Sequence, residues 1–323
     1  MLSNCGFYFF KRFSEIDINT HFSPRTGEIK LGDTSISRKE NSRFIILGIA
    51  ESIGPLSNLG LSGSEKAFRC FLNYFLNSQS ANFHAEQVCI LGQISISKPI
   101  TKELSRHVLD LDIFVAKVLA NFLETNDIPI IIGGGHNNSF PIMKWCREQN
   151  SDSPIHILNI DPHADCRNTD SRHSGNSFSL AIMNGLINHY SVLGLHEAYN
   201  NIYILDFLKK YNIYHTYFED YLFKKRNIKE DIAKAIEASG SEVGIEIDLD
   251  SIAHFPSSAK SPCGWSENEI RFILNEILKG QSKVYYLHLP EASPQNSNDE
   301  KIVGKMLTYI VRDFVNFMSI KVP

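Results

Sequence analysis

The sequence predicts an α/β protein with one mostly parallel sheet and helices on both of its faces. Three observations support this fold class: short apolar runs recur along the chain, longer segments with helical periodicity separate them, and the apolar runs are continuous rather than alternating. Continuous apolar strands are typical of a sheet that is covered on both sides. Regular alternation of strands and helices is typical of parallel βαβ units.

The elements follow in order along the chain. The predicted strands are residues 44–49, 88–91, 128–132, 155–160, 202–205, 243–247 and 284–287, with a weaker candidate at 213–217. The predicted helices are residues 65–76, 102–124, 139–148, 229–238, 267–278 and 300–317. No internal repeat, linker or shift in composition divides the chain, so we expect a single domain over residues 1–323, with an N-terminal extension of about residues 1–43.

Composition and charge exclude several classes of protein. The 323 residues are 43% hydrophobic and 21% charged, which is an ordinary globular composition and argues against disorder. Lys and Arg number 32 against 36 Asp and Glu, a formal net charge of -4, so the charge does not favour binding to nucleic acid or to an anionic membrane. No apolar run approaches the roughly 18 residues of a transmembrane helix.

The N-terminal segment and the cysteines both predict a cytoplasmic protein. Lys11 and Arg12 follow the apolar opening segment instead of preceding it, which is the reverse of a signal peptide. The six cysteines are scattered without a C-x-x-C pair, which favours reduced thiols over a disulfide framework or a zinc ribbon.

Polar residues lie in the short segments that follow four of the predicted strands. In an open parallel sheet the carboxyl ends of the strands share one edge, where ligands bind. We therefore expect these side chains to lie close together. They are His136 after strand 128–132, Asp161, His163 and Asp165 after strand 155–160, Asp248 and Asp250 after strand 243–247, and Glu291 after strand 284–287.

Two histidines and four aspartates at one edge predict a site for two divalent cations. Carboxylates packed this closely are costly to bury unless a cation lies among them. Ligation by carboxylate and imidazole without thiolate favours Mn²⁺ over Zn²⁺. Two such ions, about 3.5–4 Å apart, can hold and ionise a water molecule as a nucleophile. Taken singly, each motif also fits an ordinary strand end, cap or turn, so the hypothesis depends on their combination.

The same residues carry a resemblance to a known family. Five blocks, at 133–136, 161–165, 172–176, 248–250 and 291–294, resemble in order and spacing the ureohydrolases, the family of arginases, agmatinases and formimidoylglutamases. The resemblance spans roughly residues 44–318. It implies a three-layer α/β/α fold around a mostly parallel eight-stranded sheet, two Mn²⁺ ions, and hydrolysis of a C–N bond in a guanidine or amidine. Family members are often trimers or hexamers, which leaves a homo-oligomer open.

The resemblance also assigns roles to single residues. Asp165 would accept a hydrogen bond from the bridging hydroxide and carry a proton, and Glu291 would hold the cationic amidinium or guanidinium. The implied metal ligands are Asp161 and Asp248 as bridges, His136 and Asp165 on one ion, and His163 and Asp250 on the other.

Four positions depart from the family pattern. Ala253 and His254 stand where many members continue the second aspartate pair as D-x-x-D-P, and Gly135 replaces the aspartate of a common Gly-Gly-Asp-His. Phe178 occupies the position at which arginases carry a histidine proposed as a proton shuttle, which weakens an arginase assignment.

Arg167 is the main indication of the substrate. Formimidoylglutamases resemble this chain in having arginine two residues after the last aspartate of D-x-H-x-D, where arginases have asparagine. A guanidinium binds a carboxylate with two hydrogen bonds, so we expect Arg167, with Ser174 and Asn176, to hold an acidic substrate tail. The alternative is that Arg167 forms an internal salt bridge with Asp170 or Glu197.

The function that best fits these residues is hydrolysis of N-formimidoyl-L-glutamate to L-glutamate and formamide, a step of histidine catabolism. The chain is most similar to the formimidoylglutamase branch of the family. Alternatives within the enzyme class are an arginase, an agmatinase or another guanidino-acid hydrolase. A zinc deacetylase would use a single ion and leave several ligands without a role. The alternative outside the enzyme class is a catalytically silent regulatory or scaffold homologue.

Overall fold

A computed structural model describes residues 6–34, 42–98, 100, 102–150, 155–239, 242–281 and 283–321. The strands are β1 Tyr8–Arg12, β2 Phe44–Ala50, β3 Val88–Ile96, β4 Ile128–Ile132, β5 His156–Ile160, β6 His189–Leu195, β7 Tyr214–Tyr217, β8 Glu242–Ile247 and β9 Lys283–Leu289. The helices are α1 Glu15–Asn19, α2 Ile53–Ser57, α3 Ala67–Phe75, α4 Leu104–Phe122, α5 Ser139–Gln149, α6 Ser177–Met183, α7 Ile202–Lys210, α8 Phe218–Phe223, α9 Ile228–Ser239, α10 Glu267–Gly280 and α11 Ser297–Lys321.

The strands form one sheet in the order β1-β3-β2-β4-β9-β8-β5-β6-β7. Every pair of neighbours is parallel except β1 and β3, which are antiparallel. The prediction of a mostly parallel α/β sheet is confirmed, but the described residues contain nine strands instead of eight.

Two hydrophobic cores cover the two faces of the sheet, which makes the three layers. Alternate residues of a strand point to opposite faces; in β2, Ile46 packs into the core under α3, α10 and α11, and Leu47 packs into the core under α4, α5 and α6. Both residues are fully buried. The continuous apolar runs of the sequence therefore have the physical cause that was expected of them.

Three strand assignments needed correction. Residues 202–205 begin helix α7, because the Asn201 side chain caps the helix by accepting the Ile204 N–H at 3.1 Å. Strands β1 and β6 were not predicted at all. Strand β1 lies in the expected N-terminal extension and adds an edge to the sheet. Residues 1–5 and 35–41 of that extension lie outside the described part of the chain.

The four strands that precede the polar residues are neighbours at the centre of the sheet, in the order β4-β9-β8-β5. Ile132 pairs with Leu289 and Ile160 pairs with Ile247, so these strands end at nearly the same level. One edge of the sheet thus collects all the candidate residues. Among the described residues, no helix combines the length and the apolar character needed to cross a lipid bilayer.

Candidate metal centre and substrate cavity

His136 reaches the site through a tight turn after β4. Gly133 and Gly134 have φ angles of 86° and 70°, a left-handed conformation that glycine adopts without strain. A 3₁₀ turn, His136–Asn138, follows them and leads into α5. The His136 side chain is completely buried beneath the edge of the sheet.

Three carboxylates surround one nitrogen of the His136 ring. Nδ1 lies 2.9 Å from Asp248 Oδ2, 3.0 Å from Asp165 Oδ2 and 3.2 Å from Asp161 Oδ2. One ligand atom from each of these four residues lies within 4.8 Å of the other three. None of the three contacts has the geometry of a hydrogen bond. A convergence of this kind around a single nitrogen is the arrangement expected of a metal site.

Backbone and amide donors fix the two aspartates expected to bridge the ions. Asp161 Oδ1 accepts the His163 N–H at 2.7 Å, and Asp161 Oδ2 accepts the Asn159 side-chain amide at 2.9 Å. Asp248 Oδ1 accepts the Asp250 N–H at 2.7 Å. Each D-x-H or D-x-D sequence therefore closes a small loop that presents the first carboxylate to the cluster.

His163 and Asp250 lie beside this group. His163 Nδ1 is 3.5 Å from Asp161 Oδ1 and 4.0 Å from Asp250 Oδ2. The ring of Tyr199 stacks on His163 with centroids 5.3 Å apart. The structure thus brings all six sequence-predicted ligands to one place. The contact of Tyr199 with one of them was not predicted from the sequence.

The charges of the cluster are unbalanced without cations. Burial and the charge of Asp161 raise the pKa of Asp165, and burial with the charges of Asp161 and Asp250 raises the pKa of Asp248 well above its ordinary range. Burial also raises the pKa of Asp161, but the imidazoles of His136 and His163, which lie against this carboxylate, outweigh burial and lower that pKa to about 2. Cations would let all these carboxylates ionise. The donor set therefore fits a pair of divalent ions.

A buried carboxylate and a second imidazole support His136 from behind. His136 Nε2 lies 3.5 Å from Glu246 Oε2, which also accepts a hydrogen bond from His288 Nδ1 at 2.7 Å. Tyr286 donates to the other Glu246 oxygen at 2.8 Å. A carboxylate behind a metal-binding imidazole orients the ring and selects its tautomer. Glu246 lies inside a predicted strand and His288 directly after one, and neither position indicated a contact with His136; in the structure both residues lie inside strands.

Glu291 closes the cluster on the side of β9. One carboxylate oxygen accepts the His136 N–H at 2.6 Å, and the other accepts the Ser258 hydroxyl. Burial and the charge of Asp250 raise the pKa of Glu291 to about 8. Asp165 and Glu291 have positive φ angles of 47° and 68°, a strained backbone of the kind that is often found at functional sites.

A cavity of about 260 Å³ opens onto the cluster. Its inner end is formed by His163, Asp165, Asp248, Asp250 and Glu291. Asn58, Arg167 and Ser174 lie at its rim, where Asn58 Nδ2 donates to Ser174 Oγ at 3.3 Å. Beyond the rim lies an open space that we call the outer basin, lined by Ser57, Asn58, Leu59, Arg167, Asn168, Ser171, His173, Asn201 and Tyr203.

Arg167 is exposed and belongs to both the cavity and the outer basin. Within the described part of the chain it forms no ion pair, so it does not make the salt bridge with Asp170 or Glu197 that was considered as an alternative. Its side chain passes close to Gly175, where an added Cβ would lie 3.0 Å from Arg167 Cδ. The guanidinium is thus available to a ligand.

Asn176 does not reach the cavity. Its side-chain oxygen accepts Arg172 Nη1 at 3.0 Å, and its amide donates to the carbonyls of Asn168 at 2.9 Å and Ser171 at 2.6 Å. The expected contact between Asn176 and substrate therefore needs correction, because these partners use its amide to shape the loop. Arg172 itself is buried in an ion pair with Asp112 at 2.8 Å.

Phe178 is also outside the cavity. Its ring is fully buried, meets the His136 ring edge-on at 5.2 Å, and stacks on Tyr190 at 4.3 Å. A side chain in this position packs a metal-ligand candidate and does not face substrate. The position therefore does not serve as a proton shuttle in this chain.

Comparison with known proteins agrees with the architecture. The sequence profile of the arginase family matches residues 63–315. A formimidoylglutamase from Macrococcus caseolyticus is 22% identical over 309 residues, which cover 93% of this chain and 94% of the relative. The structure of formimidoylglutamase from Bacillus subtilis has a TM-score of 0.75 at 18% identity, covering 92% of this chain and 94% of the other.

A second solved structure is that of Trypanosoma cruzi formiminoglutamase with Mn²⁺, which has a TM-score of 0.71 at 18% identity and covers 89% of this chain and 99% of the other. The chain belongs to the arginase family. Its formimidoylglutamase relatives indicate a metal-dependent hydrolase that acts on an amidine or a guanidine.

Proposed function

We propose that this protein is a binuclear manganese hydrolase that converts N-formimidoyl-L-glutamate to L-glutamate and formamide, a step in the breakdown of histidine. The observation that carries the proposal is the distribution of charge along the cavity. The acidic side chains of its lining all lie at the inner end, whereas the rim and the outer basin carry Arg167 and neutral groups. His173 in the basin is neutral, because burial and the charge of Arg172 lower its pKa to about 4.

This distribution fits a substrate with a cationic head and an anionic tail. The amidinium of formimidoylglutamate would face Glu291, and its two carboxylates would point toward Arg167, Asn58 and Ser174. Agmatine carries an ammonium at the far end and would place it beside the Arg167 guanidinium. Arginine also carries an ammonium there, and no acid of the described rim is available to pair with it.

The residues divide the work of hydrolysis between them. We assign His136, Asp161, His163, Asp165, Asp248 and Asp250 as the ligands of two Mn²⁺ ions. When bound, the ions polarise the substrate and lower the pKa of a water molecule so that it can act as nucleophile. Glu291, fixed by Ser258 and by the His136 N–H, holds the amidinium for attack at its central carbon. Asp165 at the cavity wall accepts the proton that the attacking water loses and passes it to the departing amino nitrogen.

A substrate screen on the Mn²⁺-loaded protein tests the proposal. The panel contains N-formimidoyl-L-glutamate, arginine, agmatine and a guanidino acid, with separate detection of formamide and urea. We expect formamide from formimidoylglutamate and no urea from arginine or agmatine. Urea as the main product would support an arginase or guanidino-acid hydrolase instead. A protein that binds two Mn²⁺ ions but turns over no member of the panel would favour a silent homologue.

A cytoplasmic location and a small-molecule substrate without nucleic acid or membrane partners remain part of this proposal. The assembly of the chain into a homo-oligomer can be determined by light scattering on the same sample.

A further inference from the structure

A buried carboxylate, that of Glu51, lies next to the candidate metal centre and does not face the cluster. Glu51 follows strand β2 and is 1% exposed. It accepts five hydrogen bonds, all from N–H groups. Within the described residues no lysine or arginine forms an ion pair with it. A buried carboxylate whose partners are all neutral N–H groups holds those groups in place, because a buried donor or acceptor without a hydrogen bond costs free energy.

One oxygen of Glu51 organises the turn that carries His136. Oε1 accepts the Gly135 N–H at 2.8 Å, the Asn138 side-chain amide at 2.7 Å and the Asn137 side-chain amide at 3.2 Å. Gly135 immediately precedes His136, and Asn137 and Asn138 follow it in the 3₁₀ turn. The donors on both sides of the ligand candidate thus converge on a single acceptor.

The other oxygen organises the wall of the cavity. Oε2 accepts the backbone N–H groups of Ile53 at 2.6 Å and Gly54 at 3.2 Å, at the start of α2. Pro55 follows directly and lines the cavity, as does Asn58 at the end of the same helix. The two oxygens therefore join the metal-ligand turn to the segment that forms the rim.

We propose that Glu51 is a positioning residue that fixes His136 for metal binding and holds the cavity wall against the metal centre. The proposal rests on the metal-dependent function proposed above. Its consequence is that loss of this carboxylate weakens Mn²⁺ binding and substrate binding together, although Glu51 contacts neither ligand.

The geometry at position 135 accounts for one of the departures from the family pattern. A Cβ at Gly135 would lie 2.2 Å from Pro55 Cδ and 2.4 Å from Asn137 Oδ1, so an aspartate does not fit there. Glu51 reaches the same turn from the neighbouring strand and supplies a carboxylate to the Gly135 N–H. In this chain the carboxylate that accepts the Gly135 N–H thus comes from the residue that follows β2 and not from a residue within the turn.

The test compares Glu51→Gln with Glu65→Gln in the full-length protein. Glutamine has the same shape but presents an NH₂ group toward donors that need an acceptor. Glu65 is a matched control, because it is a partly buried acid of the same loop that accepts the Ser52 hydroxyl and the Gly63 N–H and does not contact the His136 turn. Two quantities are measured: Mn²⁺ affinity by titration calorimetry, and amide hydrogen exchange over residues 133–138 in the metal-free protein.

We expect Glu51→Gln to weaken Mn²⁺ affinity at least tenfold and to speed exchange over residues 133–138 at least tenfold, while Glu65→Gln changes either by less than twofold. Unchanged affinity and exchange in Glu51→Gln, or equal effects in both variants, would overturn the proposal. Should the wild-type protein bind no Mn²⁺, the proposed function fails, and the exchange comparison still decides the role of Glu51 in holding the turn.

A milder variant covers the case in which Glu51→Gln does not fold. Asn138→Ala removes the 2.7 Å hydrogen bond to Glu51 Oε1, together with a 2.9 Å hydrogen bond from the same amide to the Gly135 carbonyl, and leaves the Glu51 carboxylate in place. We expect it to weaken Mn²⁺ affinity about threefold or more and to speed exchange over residues 133–138. A folded Asn138→Ala protein with wild-type affinity and exchange would contradict the proposal.

Discussion

Replacing Arg167 with methionine removes the guanidinium and keeps an unbranched side chain at the rim of the cavity. Arg167 is exposed, lies between the cavity and the outer basin, and makes no ion pair within the described residues. The variant should therefore fold normally and bind metal normally, since no ion pair or side-chain hydrogen bond among the described residues is lost. We expect its effect to fall on the binding of an acidic substrate.

The size of the effect follows from the exposure of the group. A hydrogen bond to a charged partner contributes about 1.5–3 kcal/mol, and solvent screening at an exposed rim favours the lower end of this range. A loss of about 1.5 kcal/mol corresponds to roughly a tenfold rise in KM. Because Arg167 lies away from the reacting atoms, substrate and transition state should lose the same interaction, and kcat should change by less than about threefold.

The assay measures kcat and KM on N-formimidoyl-L-glutamate and on N-propylformamidine, which keeps the amidine but lacks both carboxylates. Arg12→Met, which removes an exposed arginine from edge strand β1, serves as the control and should behave like wild type. The reasoning fails if Arg167→Met loses equal efficiency on both substrates, or if kcat falls as far as KM rises.

Three further predictions concern the acid sensitivity of the fold, the hydrogen bond to Glu291 and the packing around Phe178. Burial lowers the pKa of His156 to about 3, so between pH 6.5 and 3 this residue is protonated only in the unfolded chain. The free energy of unfolding should therefore fall by about 2 kcal/mol from pH 7 to pH 5 because of this residue. In urea titrations of His156→Gln, the fall in the free energy of unfolding over the same pH range should be smaller by that amount. Ser258→Ala removes the hydroxyl that Glu291 accepts and should lower kcat/KM about tenfold, with unchanged Mn²⁺ stoichiometry by metal analysis. Phe178→His places an imidazole in a closed apolar contact with Tyr190; it should lower the free energy of unfolding by about 1–3 kcal/mol in denaturant titrations and give no urea from arginine.

The candidate metal ligands could be predicted from the sequence because each lies in the short segment that follows a buried strand. Strand β4 is buried at every residue, and the same holds for β5. Continuous apolar runs of this kind locate both a strand and its end, and parallel strands deliver their ends to one edge. The structure places the six side chains together as expected, while their role as ligands stays a prediction.

Segments with weaker patterns were harder to interpret. The short apolar run at 202–205 fits a strand or a helix equally well, and the Asn201 cap together with buried Phe207 and Leu208 on the next turn decides for α7. Strand β1 is half-exposed at the edge of the sheet, so it lacks the continuous apolar signal that marked the central strands.

The residues that support the site could not be predicted from the sequence, because their hydrogen-bond partners are distant along the chain. Glu51 accepts a hydrogen bond from Asn138, and Glu246 accepts one from His288. Both contacts depend on which strands become neighbours in the sheet. Asn176 shows the converse: its motif suggested a substrate contact, but Arg172 and two backbone carbonyls already occupy its amide. A motif specifies a loop more reliably than it specifies which of its side chains face the ligand.

The most direct test of the account is anomalous diffraction at the manganese absorption edge from crystals grown with Mn²⁺. We expect two anomalous peaks inside the cluster, with Asp161 and Asp248 next to both, His136 and Asp165 beside one, and His163 and Asp250 beside the other. A single peak, or two peaks with no contact to one of the three segments that carry the six candidate ligands, would contradict the binuclear centre on which the proposed chemistry depends.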